Sequence, residues 1–138
     1  MATTTATLTL SSADLTGDVL SLSAASTLTE AGNLTGLDQT TGVSRKILAA
    51  ASTTTTLIDA DDYPSGPAKN HRFFLRNAST TASEYITVTV DAQAIGRLYA
   101  GDFLFMPYHN EDGTHDIKVT TPSGQTNTPI EFILIHQS

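Results

Sequence analysis

Apolar and polar residues alternate with a period of two along most of the chain, and no stretch sustains the 3.6-residue period of an amphipathic helix. The segment Tyr85-Ile86-Thr87-Val88-Thr89-Val90 is the clearest case. Ile86, Val88 and Val90 fall on one side and Thr87 and Thr89 on the other, the pattern of a sheet with one buried face. From residue 71 onward the alternation predicts six strands, at 71–76, 84–90, 94–99, 103–106, 115–120 and 130–136. Turn-forming residues separate nearly all of them: Asn77 with Ser79, Asp91, Gly101 with Asp102, Asp112 with Gly113, and Pro122 to Gly124. In the last segment Ile130, Phe132, Leu134 and His136 alternate with Glu131, Ile133 and Ile135. Both sides are apolar there, which predicts a central strand.

Upstream the pattern is looser. Arg45, Ile47 and Ala49 share one side of an expected strand, Lys46 and Leu48 the other, and 53–58 reads as a second strand. Residues 59–63 form a polar interruption of about one helical turn, closed as a loop by Pro64, Ser65, Gly66 and Pro67. Residues 26–42 carry Gly32, Gly36, Gly42, Asn33 and Asp38, the composition of a long loop, with Leu28, Leu34 and Leu37 as apolar anchors. Before it, 7–10 and 18–24 alternate around turn residues Ser12, Asp14 and Gly17, giving short strands or an extended arm with one apolar stripe. The expected architecture is therefore all-β: an antiparallel β-sandwich over 43–138, jelly-roll-like or immunoglobulin-like, preceded by an extended or β-rich N-terminal arm over 1–42.

Composition sharpens this picture. The 138 residues suffice for one core. The abundance of Thr and Ser favours pleated surfaces kept wet by hydroxyls, since only 15% of residues are charged. Without cysteine, no disulfide, zinc-thiolate site or thiol nucleophile is available. A formal net charge of -7 with no basic run argues against nucleic-acid binding, which needs clustered cations. Lys69, His71, Arg72 and Arg76, interleaved with Phe73, Phe74 and Leu75, read as the solvated face of a strand. The first ten residues lack the charged and apolar regions of a signal peptide, and no window has the roughly twenty apolar residues of a membrane span. Synthesis in the cytoplasm and a soluble product without membrane association are the expectations.

No motif carries a definite chemistry. His109-Asn110-Glu111-Asp112-Gly113-Thr114-His115-Asp116 holds donors for a divalent ion but not EF-hand spacing, and Asp112-Gly113 marks it as a hairpin tip. Asp59, Asp61 and Asp62 are better read as a polar cap at a strand end than as an acid-base pair or a calcium site. No Ser sits in a nucleophile elbow, and the glycines lack phosphate-loop spacing. Phe103 and Phe105 share one face of their strand and are expected in the core, leaving Tyr99 and Tyr108 as candidates to stack on a sugar ring. No catalytic residue, cofactor or metal site is expected.

The stretches Glu84-Tyr85-Ile86-Thr87-Val88, Ile95-Gly96-Arg97-Leu98-Tyr99-Ala100-Gly101-Asp102-Phe103-Leu104-Phe105-Met106-Pro107, Asp116-Ile117-Lys118-Val119 and Ile130-Glu131-Phe132-Ile133-Leu134 resemble small virion structural proteins of tailed phages. That resemblance covers about half the chain and implies a non-enzymatic capsid decoration (cement) protein on the capsid surface, or another head or tail accessory subunit. Its partners would be the major capsid protein or other virion subunits, with homo-oligomers expected. The alternative from another class is a glycan-binding β-sandwich module. The residues expected to meet a partner are Leu8, Leu10, Leu20, Leu22, Leu28, Leu34 and Leu37 of the arm, with Tyr99 and Tyr108.

Overall fold

The computed structural model describes residues 3–14, 17, 19–49, 52–67, 69–125 and 127–138. Among these residues eleven strands run in order: β1 (Thr5–Ser12), β2 (Leu20–Thr27), β3 (Gln39–Thr40), β4 (Ser44–Leu48), β5 (Thr54–Ile58), β6 (His71–Asn77), β7 (Tyr85–Val90), β8 (Gln93–Tyr99), β9 (Phe103–Tyr108), β10 (Ile117–Thr120) and β11 (Thr128–His136). One 3-10 turn, Ala60–Asp62, lies in the polar interruption. All six strands expected after residue 70 are present, and of the two alternatives at the N-terminus, short strands or an extended arm, strands are found; residue 18 lies outside the described residues.

The fold is an all-β sandwich of antiparallel sheets. One sheet has the order β5-β10-β7-β8, and the other β3-β11-β6-β9, with β4 also pairing with β11. The body strands β4 to β11 thus follow jelly-roll order, in which only β7 and β8 are both consecutive and paired. An immunoglobulin-like sandwich would set sequence neighbours side by side in both sheets. Every other connection in the body crosses between sheets, so Asp112-Gly113 is not the expected hairpin tip. β9 pairs with β6 while β10 pairs with β5 and β7, and the turn lies in a crossing loop.

β11 is central as expected, flanked by β6 on one side and by β4 and β3 in succession on the other. The core lies between the sheets. It draws Ile86 and Val88 from β7, Ile117 and Val119 from β10, Phe73 and Leu75 from β6, and Ile130 and Leu134 from β11. These are large, mostly branched side chains at alternate positions, where the pleat directs each inward. A register shift at Val88/Thr89 leaves Ile95 of edge strand β8 without a partner in the ladder, and its side chain is exposed.

Residues 1–42 divide physically. β1 and β2 form a two-stranded ribbon hydrogen-bonded to each other and, among the described residues, to no other strand. Residues 28–42 instead lie against the body. Leu28 and Leu37 are buried around a Thr29–Gly36 bridge, β3 pairs with β11, and Asn70 donates to the Thr29 carbonyl at 2.9 Å. The segment read as a loop is therefore pinned by two of its three leucines, Leu28 and Leu37.

Candidate interaction surface

The two polar clusters meet at one end of the sandwich. Asp116 accepts from the Ala60 N–H at 2.9 Å, Asn110 Nδ2 donates to the Ala60 and Tyr63 carbonyls at 2.7 and 3.1 Å, and Gly66 N–H donates to the Asn110 carbonyl at 2.9 Å. Asp59 caps the 3-10 turn by accepting from the Asp61 N–H at 3.2 Å, the polar cap expected of it. The Asp116 carboxyl is held below its usual range chiefly by the Ala60 N–H, then by Lys118, whose ammonium is 2.9 Å away. Gly113 has positive φ, and a Cβ there would meet the Asp61 carboxylate, so this crossing favours glycine. The side chains join loops to one another, and among the described residues no three His, Cys, Asp or Glu are grouped to hold a metal ion.

His71 points inward, correcting its placement on a solvated face; Arg72 and Arg76, on the alternate positions of β6, do point outward. The His71 ring is buried, with Nε2 3.0 Å from the Pro64 carbonyl oxygen and Nδ1 accepting from the Gln137 N–H at 3.4 Å. Burial lowers its pKa, and the charges of His136, His109 and Lys69 lower it further, outweighing the Pro64 carbonyl. The ring packs 5.9 Å from that of Tyr108 and 6.0 Å from that of His136. A neutral imidazole bridging two backbone segments is a structural group.

The aromatic residues are distributed differently from expectation. Phe103 and Phe105 are 58% and 42% exposed, while Leu104, Met106 and Tyr108 supply the inward side of β9. Tyr108 is buried, its hydroxyl donates to the His115 carbonyl at 2.8 Å, and burial pushes its pKa up to about 12. It is no sugar platform. Tyr99 is exposed and pairs across strands with Tyr85, ring centroids 5.3 Å apart, with the Arg97 guanidinium 4.6 Å from the Tyr85 ring centre.

Among the described residues, exposed apolar side chains gather on the ribbon and on the outer side of the five-stranded sheet. In the ribbon, the register sets Ala6, Leu8, Leu10 and Ser12 opposite Ser26, Ala24, Leu22 and Leu20. Opposed residues share a face, so all four strand leucines lie on one side and the other is almost entirely Thr and Ser. Leu8, Leu10, Leu20 and Leu22 are between 39% and 49% exposed. Leu34, in the turn beyond the ribbon, is also exposed. Of the nine side chains expected to meet a partner, Leu28, Leu37 and Tyr108 are buried within the chain, a correction; the other six are open to solvent.

On the sheet, three rows cross the outer side: Arg45-Glu131-Arg76-Phe103, then Ile133-Phe74-Phe105, then Ile135-Arg72-Pro107. Phe74 and Phe103 stack at 6.1 Å, and Arg45 pairs with Glu131 at 2.8 Å. Between this side and the base of the ribbon lies an open groove of about 690 Å³, lined by Ala6 to Thr9, Ala24 to Ser26, and Phe74, Phe103 and Phe105. Sequence reasoning missed this face because it assigned Phe103 and Phe105 to the core. The alternation Arg72-Phe74-Arg76 was its one visible sign. No protein-family model, curated protein or solved structure matches the chain.

Proposed function

We propose that the chain is a non-enzymatic virion structural protein, a capsid decoration (cement) protein that binds and stabilises the major capsid shell. The observation that carries this reading is the ribbon: two eight-residue strands presenting four leucines to solvent on one face, set apart from a well-packed jelly-roll body. An isolated two-stranded ribbon is marginal in water. One with an uncovered apolar face has the form of an arm that crosses a subunit boundary and gains its stability there. The resemblance of the β7–β9, β10 and β11 segments to small virion proteins of tailed phages supports the capsid as the assembly. The acidic, hydroxyl-rich chain, at -7, suits a surface on which many copies crowd together.

The test is deletion of residues 2–27, which removes the ribbon and spares the segment that buries Leu28 and Leu37. The truncated body should fold and fail to join the particle; retained association would refute the ribbon's role. A glycan-binding reading has one observation in its favour, the exposed Tyr99 beside Tyr85 and Arg97. Under it, Tyr99→Ala would abolish retention on a glycan column. Under the virion reading that substitution leaves particle binding unchanged.

A further inference from the structure

The chain carries two uncovered apolar surfaces, and each has what the other lacks. The ribbon stretch 3–27 contains Asp14 and Asp18 and no cationic side chain. The outer side of the five-stranded sheet carries Arg45, Arg72 and Arg76, three of the chain's four arginines, against Glu131 alone. In a chain of net charge -7, a cationic rim around exposed phenylalanines is a local reversal that matches a stretch whose only charged side chains are acidic.

We propose that the ribbon's partner is a second copy of this chain. The leucine face of one ribbon enters the groove of the neighbour and covers Phe74, Phe103 and Phe105, and the neighbour's ribbon does the same in return about a twofold axis. This rests on the reading of the ribbon as an inter-subunit arm and names what the arm holds.

Area favours the reciprocal arrangement. Eight-residue strands make a ribbon face about 26 Å long and about 10 Å wide, so one contact removes roughly 500 Å² counted over both partners. That falls short of the roughly 1,000 Å² that a specific interface needs, whereas two equivalent contacts reach it. A single ribbon packed on a single ribbon falls short in the same way and leaves the phenylalanines wet. An isologous pair doubles every contact without new chemistry.

Sedimentation velocity on the full chain, with no other protein present, tests this. The wild type is expected to show a concentration-dependent dimer. The ribbon variant Leu10→Asp/Leu22→Asp and the face variant Phe103→Asp/Phe105→Asp should each weaken association at least tenfold. All four side chains are exposed, so the body should stay folded, which circular dichroism checks. Mixed in equal amounts the two variants should associate more tightly than either does alone and more weakly than the wild type, because one of the two ribbon–face contacts is intact in the mixed pair; a mixture that associates no better than either variant alone overturns the proposal. A second variant decides independently of these. In this cysteine-free chain, Leu22→Cys/Phe103→Cys should oxidise to a covalent dimer. A covalent monomer, the ribbon closed on its own sheet, overturns the proposal, as does a wild-type monomer at about 100 µM, where a pair with a Kd of about 1 µM would be almost wholly dimeric. A monomer that still loses particle binding when 2–27 is removed defeats the exchange but leaves the arm reading standing. Particle binding that survives the removal defeats the arm reading itself.

Discussion

Phe73 and Phe103 are close in sequence type and opposite in setting, and replacing each with alanine tests the facing of the whole five-stranded sheet. Phe73 is fully buried between the sheets, whereas Phe103 is 58% exposed on the outer side. Withdrawing a buried Phe ring from the core costs about 2 to 3 kcal/mol in transfer free energy. A residual void of roughly 60 to 100 Å³ adds about 1.5 to 2.4 kcal/mol at about 24 cal/mol per Å³. Phe73→Ala should therefore destabilise by about 4 to 5 kcal/mol. Phe103→Ala forfeits less than half of the transfer contribution and leaves no enclosed void, so its loss is about 1 kcal/mol. With about 3 to 5 °C per kcal/mol for a chain of this size, the melting temperature should fall by about 12 to 25 °C for Phe73→Ala and about 3 to 5 °C for Phe103→Ala. Thermal and urea melts by circular dichroism measure both. They belong at low protein concentration, or in the Leu10→Asp/Leu22→Asp background, where association adds nothing to stability. Equal losses, or a larger loss at Phe103, would refute the assignment of inner and outer sides.

Acidification should destabilise the body through His71. Burial lowers its folded pKa below the unfolded value near 6.5, so the unfolded chain binds more protons; stability falls as pH drops through about 6.5 towards the folded pKa, and His71→Gln should flatten that slope in pH-dependent melts. Asn77→Ala should cost about 2 to 3 kcal/mol in urea unfolding, because Asn77 Nδ2 donates to the Leu98 carbonyl at 3.0 Å and Oδ1 accepts from the Ser79 N–H at 3.0 Å in a buried site. Gly113→Ala should lower the melting temperature, since the new Cβ meets Asp61 at a positive-φ position; a Gly113→Ala/Asp61→Ala double variant should recover the steric part of the loss and keep the backbone part. Removing residues 2–27 should leave the melting temperature of the isolated body within about 2 °C, because β1 and β2 pair only with each other.

The period-two alternation made the strands legible and left their partners hidden. β7 and β11 could be read from sequence because Ile86 and Val88 oppose threonines, and because 130–136 is apolar on both sides as a central strand must be. Alternation on β9 told which residues share a face but not which face is inside. Phe103 and Phe105 on one side balance Leu104, Met106 and Tyr108 on the other, and the register of β9 on β6 decided which set faces the core between the sheets. Asp112-Gly113 announced a reversal of the chain, yet a turn is local and the pairing of its flanking strands is not. Jelly-roll order was out of reach for the same reason, since β4 and β11 meet from opposite ends of the body. The ribbon's leucine stripe was visible, but the burial of Leu28 and Leu37 goes with the Thr29–Gly36 bridge and the pairing of β3 with β11, neither of which leaves a sequence signature.

Immunogold labelling of purified virus particles, with an antibody raised against residues 43–138, tests the central reading most directly. Gold at regular positions over the head, lost when the gene is deleted and regained when it is restored, is the result expected of a decoration protein. Particles that carry no label while the chain accumulates free in the lysate would contradict it.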